Sequence, residues 1–268
     1  MLQLKGVSKS YDRGKTWAVD NLNLEINSGE IFGFLGPNGA GKTTTLRTIV
    51  GLLPPDRGTI VFDGIDVWKK PLVAKRRISF LPDNPNIYDR LTGLEYVRFI
   101  ADVYGVPAKE RRERLERLLH IFDMAAAAPD LIKSYSHGMR QKIALIAALI
   151  PQPDLLVLDE PITGLDPRSV HLFKNLLHEH CRAGGTVFFS THILDVAERL
   201  CDRVGIIRKG RLIACGTMEQ LRRDRMADTT LETLFLELTE SEAETTETET
   251  EAEAGKRERE KERSREDK

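Results

Sequence analysis

The sequence predicts an α/β protein whose mainly parallel sheet is interrupted by a helical insertion. Three observations carry that prediction. A glycine-rich turn near residue 40 joins an apolar strand pattern to a helical one. Strand and helix patterns alternate again from residue 155 onward, and such alternation implies crossovers and parallel strands. Between the two halves, residues 92–151 show helical periodicity alone.

Taken in order, Leu22, Leu24 and Ile26 alternate with polar residues as a half-buried strand does. Residues 30–35 read as a buried strand and residues 44–50 as the helix after the glycine turn. Strands follow at 59–62, before an Asp63-Gly64 turn, and at 78–81. Thr92-Gly93-Leu94-Glu95 has the spacing of a capping box and opens a helix toward Tyr104. Leu115, Leu118, Leu119 and Phe122 mark the buried face of a second helix, and a third follows Gly138. Strands return at 155–158, 186–189 and 204–207, with helices near 169–181 and 193–200 between them.

The chain is long enough for one large domain, and an apolar fraction of 41% can fill its core. Residues 240–268 carry twelve acidic and seven basic groups, which leaves the remainder at +4, too mild for a dedicated nucleic-acid surface. Residues 241–254 are almost all Glu, Thr and Ala, and 256–268 are nearly all charged, so this tail is expected to be disordered. Cys181, Cys201 and Cys215 lack paired spacing and read as reduced thiols of a cytosolic protein. The first five residues lack a signal peptide's apolar core. The longest apolar run, 143–150, is too short to span a bilayer, so any membrane role requires a partner.

Gly36-Pro37-Asn38-Gly39-Ala40-Gly41-Lys42-Thr43-Thr44 is a phosphate-binding loop in full. Its glycines let backbone N–H groups turn toward a nucleotide's phosphates. Lys42 can reach the β/γ-phosphate oxygens, and the Thr43 hydroxyl can ligate Mg²⁺. The chain is therefore expected to bind ATP or GTP. The apolar run 155–158 ends in Asp159-Glu160. At the carboxyl end of a strand Asp159 can hold Mg²⁺, and Glu160 can act as general base on an attacking water.

Tyr11, the loop from Gly36 to Thr44, the 135–141 segment, residues 155–161, Gly164-Leu165-Asp166 and Thr191-His192 stand in an order that resembles the ATP-binding subunits of ABC transporters. The resemblance runs from about residue 2 to residue 238, and Ser136-His137-Gly138 is its discriminating piece. It implies a phosphate-loop NTPase fold of the RecA-like kind: a mainly parallel core, an antiparallel β part and a helical subdomain inserted at about 84–151. The ATPase domain is expected over 1–238 and the charged tail over 239–268.

The resemblance also implies roles. Tyr11 would stack on adenine, while Ser136 and Gly138 would bind the γ-phosphate of ATP held by an opposite subunit. Asp166 would be the loop carboxylate at that interface, and His192 the switch residue contacting γ-phosphate and water. Asp83 stands where the family usually has Gln; its carboxylate could still ligate Mg²⁺. His137 and Met139 also depart from the usual residues, in a way that resembles prokaryotic export ATPases of drug and sodium efflux.

The implied function is an Mg²⁺-dependent ATPase that dimerises around two ATP molecules, identical second subunit or not, and powers transport through a separate membrane permease. It would sit in the cytoplasm at the inner face of the membrane. Two rivals are a soluble family ATPase uncoupled from transport and a module that holds ATP without hydrolysing it. A single cassette without sustained heptads disfavours the first, and Glu160 with His192 disfavours the second. His178-Glu179-His180-Cys181 is set aside as a metal motif, because helix positions two apart point to different faces.

Overall fold

The structure, a computed structural model, describes residues 1–223 and Phe235 of the 268-residue chain. Two strands, β1 (Leu2–Ser10) and β2 (Trp17–Ile26), open the chain, and β3 (Ile31–Leu35) leads through the glycine loop into α1 (Lys42–Ile49). Next come β4 (Arg57–Phe62), β5 (Ile65–Asp66), α2 (Pro71–Lys75) and β6 (Ile78–Leu81). The insertion holds α3 (Gly93–Val103), α4 (Ala108–Ile121), a 3₁₀ turn (Ile132–Ser134) and α5 (His137–Leu149). The chain returns through β7 (Leu155–Asp159), α6 (Pro167–Arg182), β8 (Thr186–Thr191), α7 (Leu194–Leu200), β9 (Arg203–Arg208) and β10 (Arg211–Gly216), then α8 (Met218–Arg223).

Two sheets result. The first is antiparallel, in the order β2-β1-β4-β5; the second runs β10-β9-β3-β8-β7-β6 and is parallel except for its edge strand β10. In β2 the buried residues Leu22, Leu24 and Ile26 alternate with exposed ones, as the sequence predicted. In contrast β3, β7 and β8 are buried at every position, as parallel strands covered on both faces must be. Phe188 of β8 packs against Phe32 and Phe34 of β3, with centroids 5.7 and 5.3 Å apart. Each such tilted pair is worth about 0.5–1.5 kcal/mol beyond area burial. Residues of both sheets share one core, so the antiparallel part is anchored to the parallel one.

The insertion forms for the reasons its sequence suggests. Thr92 Oγ1 accepts from the Glu95 N–H at 3.1 Å while Glu95 Oε2 accepts from the Thr92 N–H at 2.8 Å, which closes the capping box. Leu115, Leu118 and Leu119 of α4 and the following Phe122 are buried. The middle of α5, from Ile143 to Leu149, is buried throughout and lies between α3 and the sheet edge β6. Unpredicted elements among the described residues are β1, β5, α2, the 3₁₀ turn, β10 and α8: β5, α2, the 3₁₀ turn and α8 are short, while β1 and β10 are secured by pairing, β1 with β2 and β4 and β10 with β9, rather than by a pattern of their own.

Residues 1–218 form one compact unit, and of the residues beyond it only 219–223 and Phe235 are described. The boundary expected at residue 238 and the charged tail lie outside the described residues. Among the described residues no helix is long and apolar enough to cross a membrane.

Candidate nucleotide site

The glycine loop leaves β3, which is flanked by β9 and β8 in the middle of the parallel sheet. Gly41, at φ +107°, brings the loop so close to β2 that a Cβ there would sit 2.2 Å from the Ala18 carbonyl oxygen. No other residue type fits that turn. Helix α1 follows with no side-chain cap on its N-terminus and no acidic residue in its first turn. Its free N–H groups and positive dipole end therefore face the loop, the arrangement that binds anions.

A pocket of about 210 Å³ opens here, lined by the loop, Ala18, Asp83, Asp159 and Glu160. Lys42 is buried; its Nζ donates to the Gly36 carbonyl at 2.7 Å and lies 3.5 Å from Glu160 Oε1. Glu160 Oε2 is 3.0 Å from His192 Nδ1 and accepts from the His192 N–H at 3.4 Å. The residue expected as base thus sits between the loop cation and the expected switch histidine. Glu160 has φ +48°, a left-handed backbone in which a side chain costs energy and persists only where its surroundings hold it.

Asp159 is buried, and burial pushes its carboxyl above the ordinary carboxylate range. The Ser190 and Thr43 hydroxyls pull it back, and the neighbouring charges of Asp83 and Glu160 push it up again. Its Oδ1 accepts from Ser190 Oγ at 2.6 Å, whereas Oδ2 is buried without a hydrogen-bond partner. A buried, unpartnered carboxylate oxygen on a residue that lines the same pocket as Thr43 fits a hard divalent cation. Among the described residues no group of His, Cys, Asp and Glu could hold a metal alone. Mg²⁺ needs no such cage, since one or two carboxylates and nucleotide phosphates commonly suffice.

Tyr11 is exposed and reaches this site by its hydroxyl, 3.2 Å from Thr44 Oγ1. Ser136, Gly138 and Asp166 do not line the pocket. They form a second cluster with its own contacts. Ser136 caps α5 by accepting from the Met139 N–H at 3.2 Å. Gly138 lies against the loop before α6, where a Cβ would meet the Gly164 carbonyl at 2.8 Å. Asp166 caps α6 by accepting from the Ser169 N–H at 2.8 Å and pairs with Lys142 at 2.9 Å. Lys142 first, and Ser169 after it, hold the Asp166 carboxyl far below its ordinary value.

Sequence reasoning missed Lys142 as the partner of Asp166 and Ser190 as the link between Asp159 and Glu160. Ser190 had a signal, a polar residue directly following the apolar run Val187-Phe188-Phe189. The set-aside 178–181 segment lies on α6, where Glu179 pairs with Arg117 and the His180 ring lies against Gly185.

Loop, strand-end acids and parallel sheet define a phosphate-loop ATPase. The family model for the ABC transporter matches residues 19–163. The linearmycin resistance ATP-binding protein LnrL of Bacillus subtilis (strain 168) is 36% identical over 241 residues, which is 90% of this chain and 77% of that protein. A solved ATP-binding subunit of an ABC transporter superposes with a TM-score of 0.85 at 34% identity, covering 89% of this chain and 99% of its own. A dimeric ATP-binding cassette in a post-hydrolysis state with ADP and Pi superposes at 0.72 with 29% identity, covering 81% and 99%. The chain belongs to the ABC transporter family, as an ATP-binding cassette.

Proposed function

We propose that two such chains, or one and a related subunit, close around two ATP molecules and drive export through a separate membrane permease at the inner face of the membrane. The observation that carries this reading is the division of the site. The residues for the triphosphate line one pocket, whereas Ser136, Gly138 and Asp166 stand in another cluster. One subunit's pocket is then completed by the α5 N-terminus of its partner, which offers the Ser136 hydroxyl and a positive dipole end to the γ-phosphate.

Within the pocket Lys42 and the loop N–H groups hold the phosphates, and Tyr11 supplies a ring for adenine. Thr43 and Asp159 would hold Mg²⁺, with Asp83 of the same pocket as a further ligand; the ion would supply charge neutralisation on the phosphate oxygens. Glu160 takes a proton from the attacking water, and His192 orients Glu160 and meets the γ-phosphate. Contacts made to γ-phosphate only in the closed pair convert hydrolysis into opening.

The permease side is supported by an exposed aromatic group on the insertion. Tyr88 is 57% and Phe99 45% exposed, and Tyr88 lies edge-on to Tyr96 and Phe99 with centroids 6.3 and 5.9 Å apart. Water-facing aromatic clusters of this kind mark interaction surfaces. The export direction is supported by the relative named for linearmycin resistance, since removing a toxic compound confers resistance. Purification of the tagged chain from detergent-solubilised membranes tests the proposal. A polytopic membrane protein should co-purify, and should be lost with Phe99→Glu while ATPase activity remains; ribosomes or DNA in its place would overturn the transport reading.

A further inference from the structure

We propose that Ser190 is a positioning residue of the ATPase site, whose hydroxyl sets the orientation of Asp159 toward magnesium and the backbone of Glu160. The inference rests on the assignment of Asp159 as a magnesium ligand. Ser190 lies on β8 directly opposite Asp159 of β7 in the parallel register and is fully buried. A hydroxyl has one hydrogen to give and two lone pairs to accept with. Ser190 spends its hydrogen on Asp159 Oδ1 at 2.6 Å and accepts from the Glu160 N–H at 3.2 Å. One side chain therefore touches both members of the acidic pair.

Two consequences follow from this geometry. With Oδ1 engaged, the carboxylate cannot rotate freely, and Oδ2 is the oxygen left unpartnered, on a residue that lines the same pocket as Thr43. The Glu160 N–H is shared between the Ser190 carbonyl and hydroxyl oxygens, each at 3.2 Å, which helps hold Glu160 at φ +48°. Any residue on β8 would offer the carbonyl. Among residues of this size only serine adds a strong donor and acceptor in the same place, so the effect resides in the side chain and is open to substitution.

A purely structural Ser190 would satisfy buried neighbours and nothing more, and its removal would lower stability without changing how magnesium and nucleotide communicate. The test separates the two roles. ATP affinity of the full-length chain is measured by fluorescence-detected binding in EDTA and again in saturating Mg²⁺, and the ratio gives magnesium's effect. For Ser190→Ala the EDTA affinity should stay within about twofold of wild type, while magnesium's effect should shrink by about tenfold, the low end for outer residues that orient a metal ligand. Ser190→Thr, which keeps the hydroxyl, should restore it. Should Ser190→Ala fold poorly, Ser190→Cys keeps the size and weakens the donor, and it should show a smaller loss of the same kind.

Asp159→Asn is measured alongside. If Asp159→Asn loses the magnesium effect while Ser190→Ala and Ser190→Cys keep it at the wild-type level, the positioning role is overturned and the ligand assignment stands. If Asp159→Asn itself keeps the full effect, the ligand assignment fails, and the role of Ser190 falls with it.

Discussion

Lys42 Nζ and Glu160 Oε1 face each other across the pocket at 3.5 Å, both largely shielded from solvent. The cation that would hold a phosphate and the carboxylate that would activate water are thus neighbours before any ligand is considered. At partly buried sites charges interact more strongly than in water, so each fixes the other's position. Changing either residue should disturb both binding and chemistry, and the predictions below are arranged around that coupling.

Lys42→Ala should abolish tight ATP binding and hydrolysis, because it removes the loop's lysine and leaves Glu160 without its nearest cation. Equilibrium binding and phosphate release both measure this. Turnover near the wild-type rate would refute the phosphate-loop assignment.

Glu160→Gln should bind ATP while hydrolysis nearly stops, since the amide keeps the size but cannot take a proton. The trapped closed pair should appear as an ATP-dependent dimer on size-exclusion chromatography, and adding Ser136→Arg should return it to monomer. Normal hydrolysis would remove Glu160 from the catalytic role; ATP binding without dimerisation would remove the two-subunit site.

Tyr11→Ala should weaken ATP affinity about five- to hundredfold, corresponding to ~1–3 kcal/mol of base stacking. Tyr11→Phe keeps the ring and loses only an exposed bond to Thr44, so it should bind nearly as well as wild type. Equal losses in the two variants would show that the hydroxyl, not the ring, carries the effect.

Asp83→Gln should keep ATPase activity, because Asp83 lines the pocket together with Asp159 and Thr43, which would still hold magnesium as proposed above. The substitution also removes a charge that pushes the Asp159 carboxyl upward. Complete loss of activity would assign the Asp83 carboxylate an essential place in the ion's shell.

Asp166→Ala should lower the stability of the isolated chain by about 0.5–2 kcal/mol through loss of the α6 cap. The pair with Lys142, whose carboxylate is half exposed and so screened by solvent, adds about 0–1 kcal/mol. A melting temperature lowered by a few degrees would show this in a thermal scan. An unchanged melting temperature with impaired dimerisation would place the residue's whole role at the subunit interface.

Much of this was written locally in the chain. The phosphate loop, the Thr92–Glu95 capping box, the apolar faces of α4 and β2 and the two acids ending β7 are each contiguous or regularly spaced. Local backbone physics acts on neighbours, so residues a few positions apart reveal a turn, a cap or a face without knowledge of the rest. By that route the sequence alone determined the α/β class, the helical insertion and the nature of the ligand.

The tertiary structure decided what depends on register between distant strands. Asp159 and Ser190 are 31 residues apart, and only the parallel pairing of β7 with β8 sets one opposite the other. The same holds for Asp166 with Lys142, for Tyr11 with Thr44, and for the separation of the Ser136 cluster from the pocket. No periodicity along the chain encodes which carboxylate oxygen is left unpartnered. That choice is made when β7 and β8 align and bury their polar groups, because a buried donor must find an acceptor wherever the register places one.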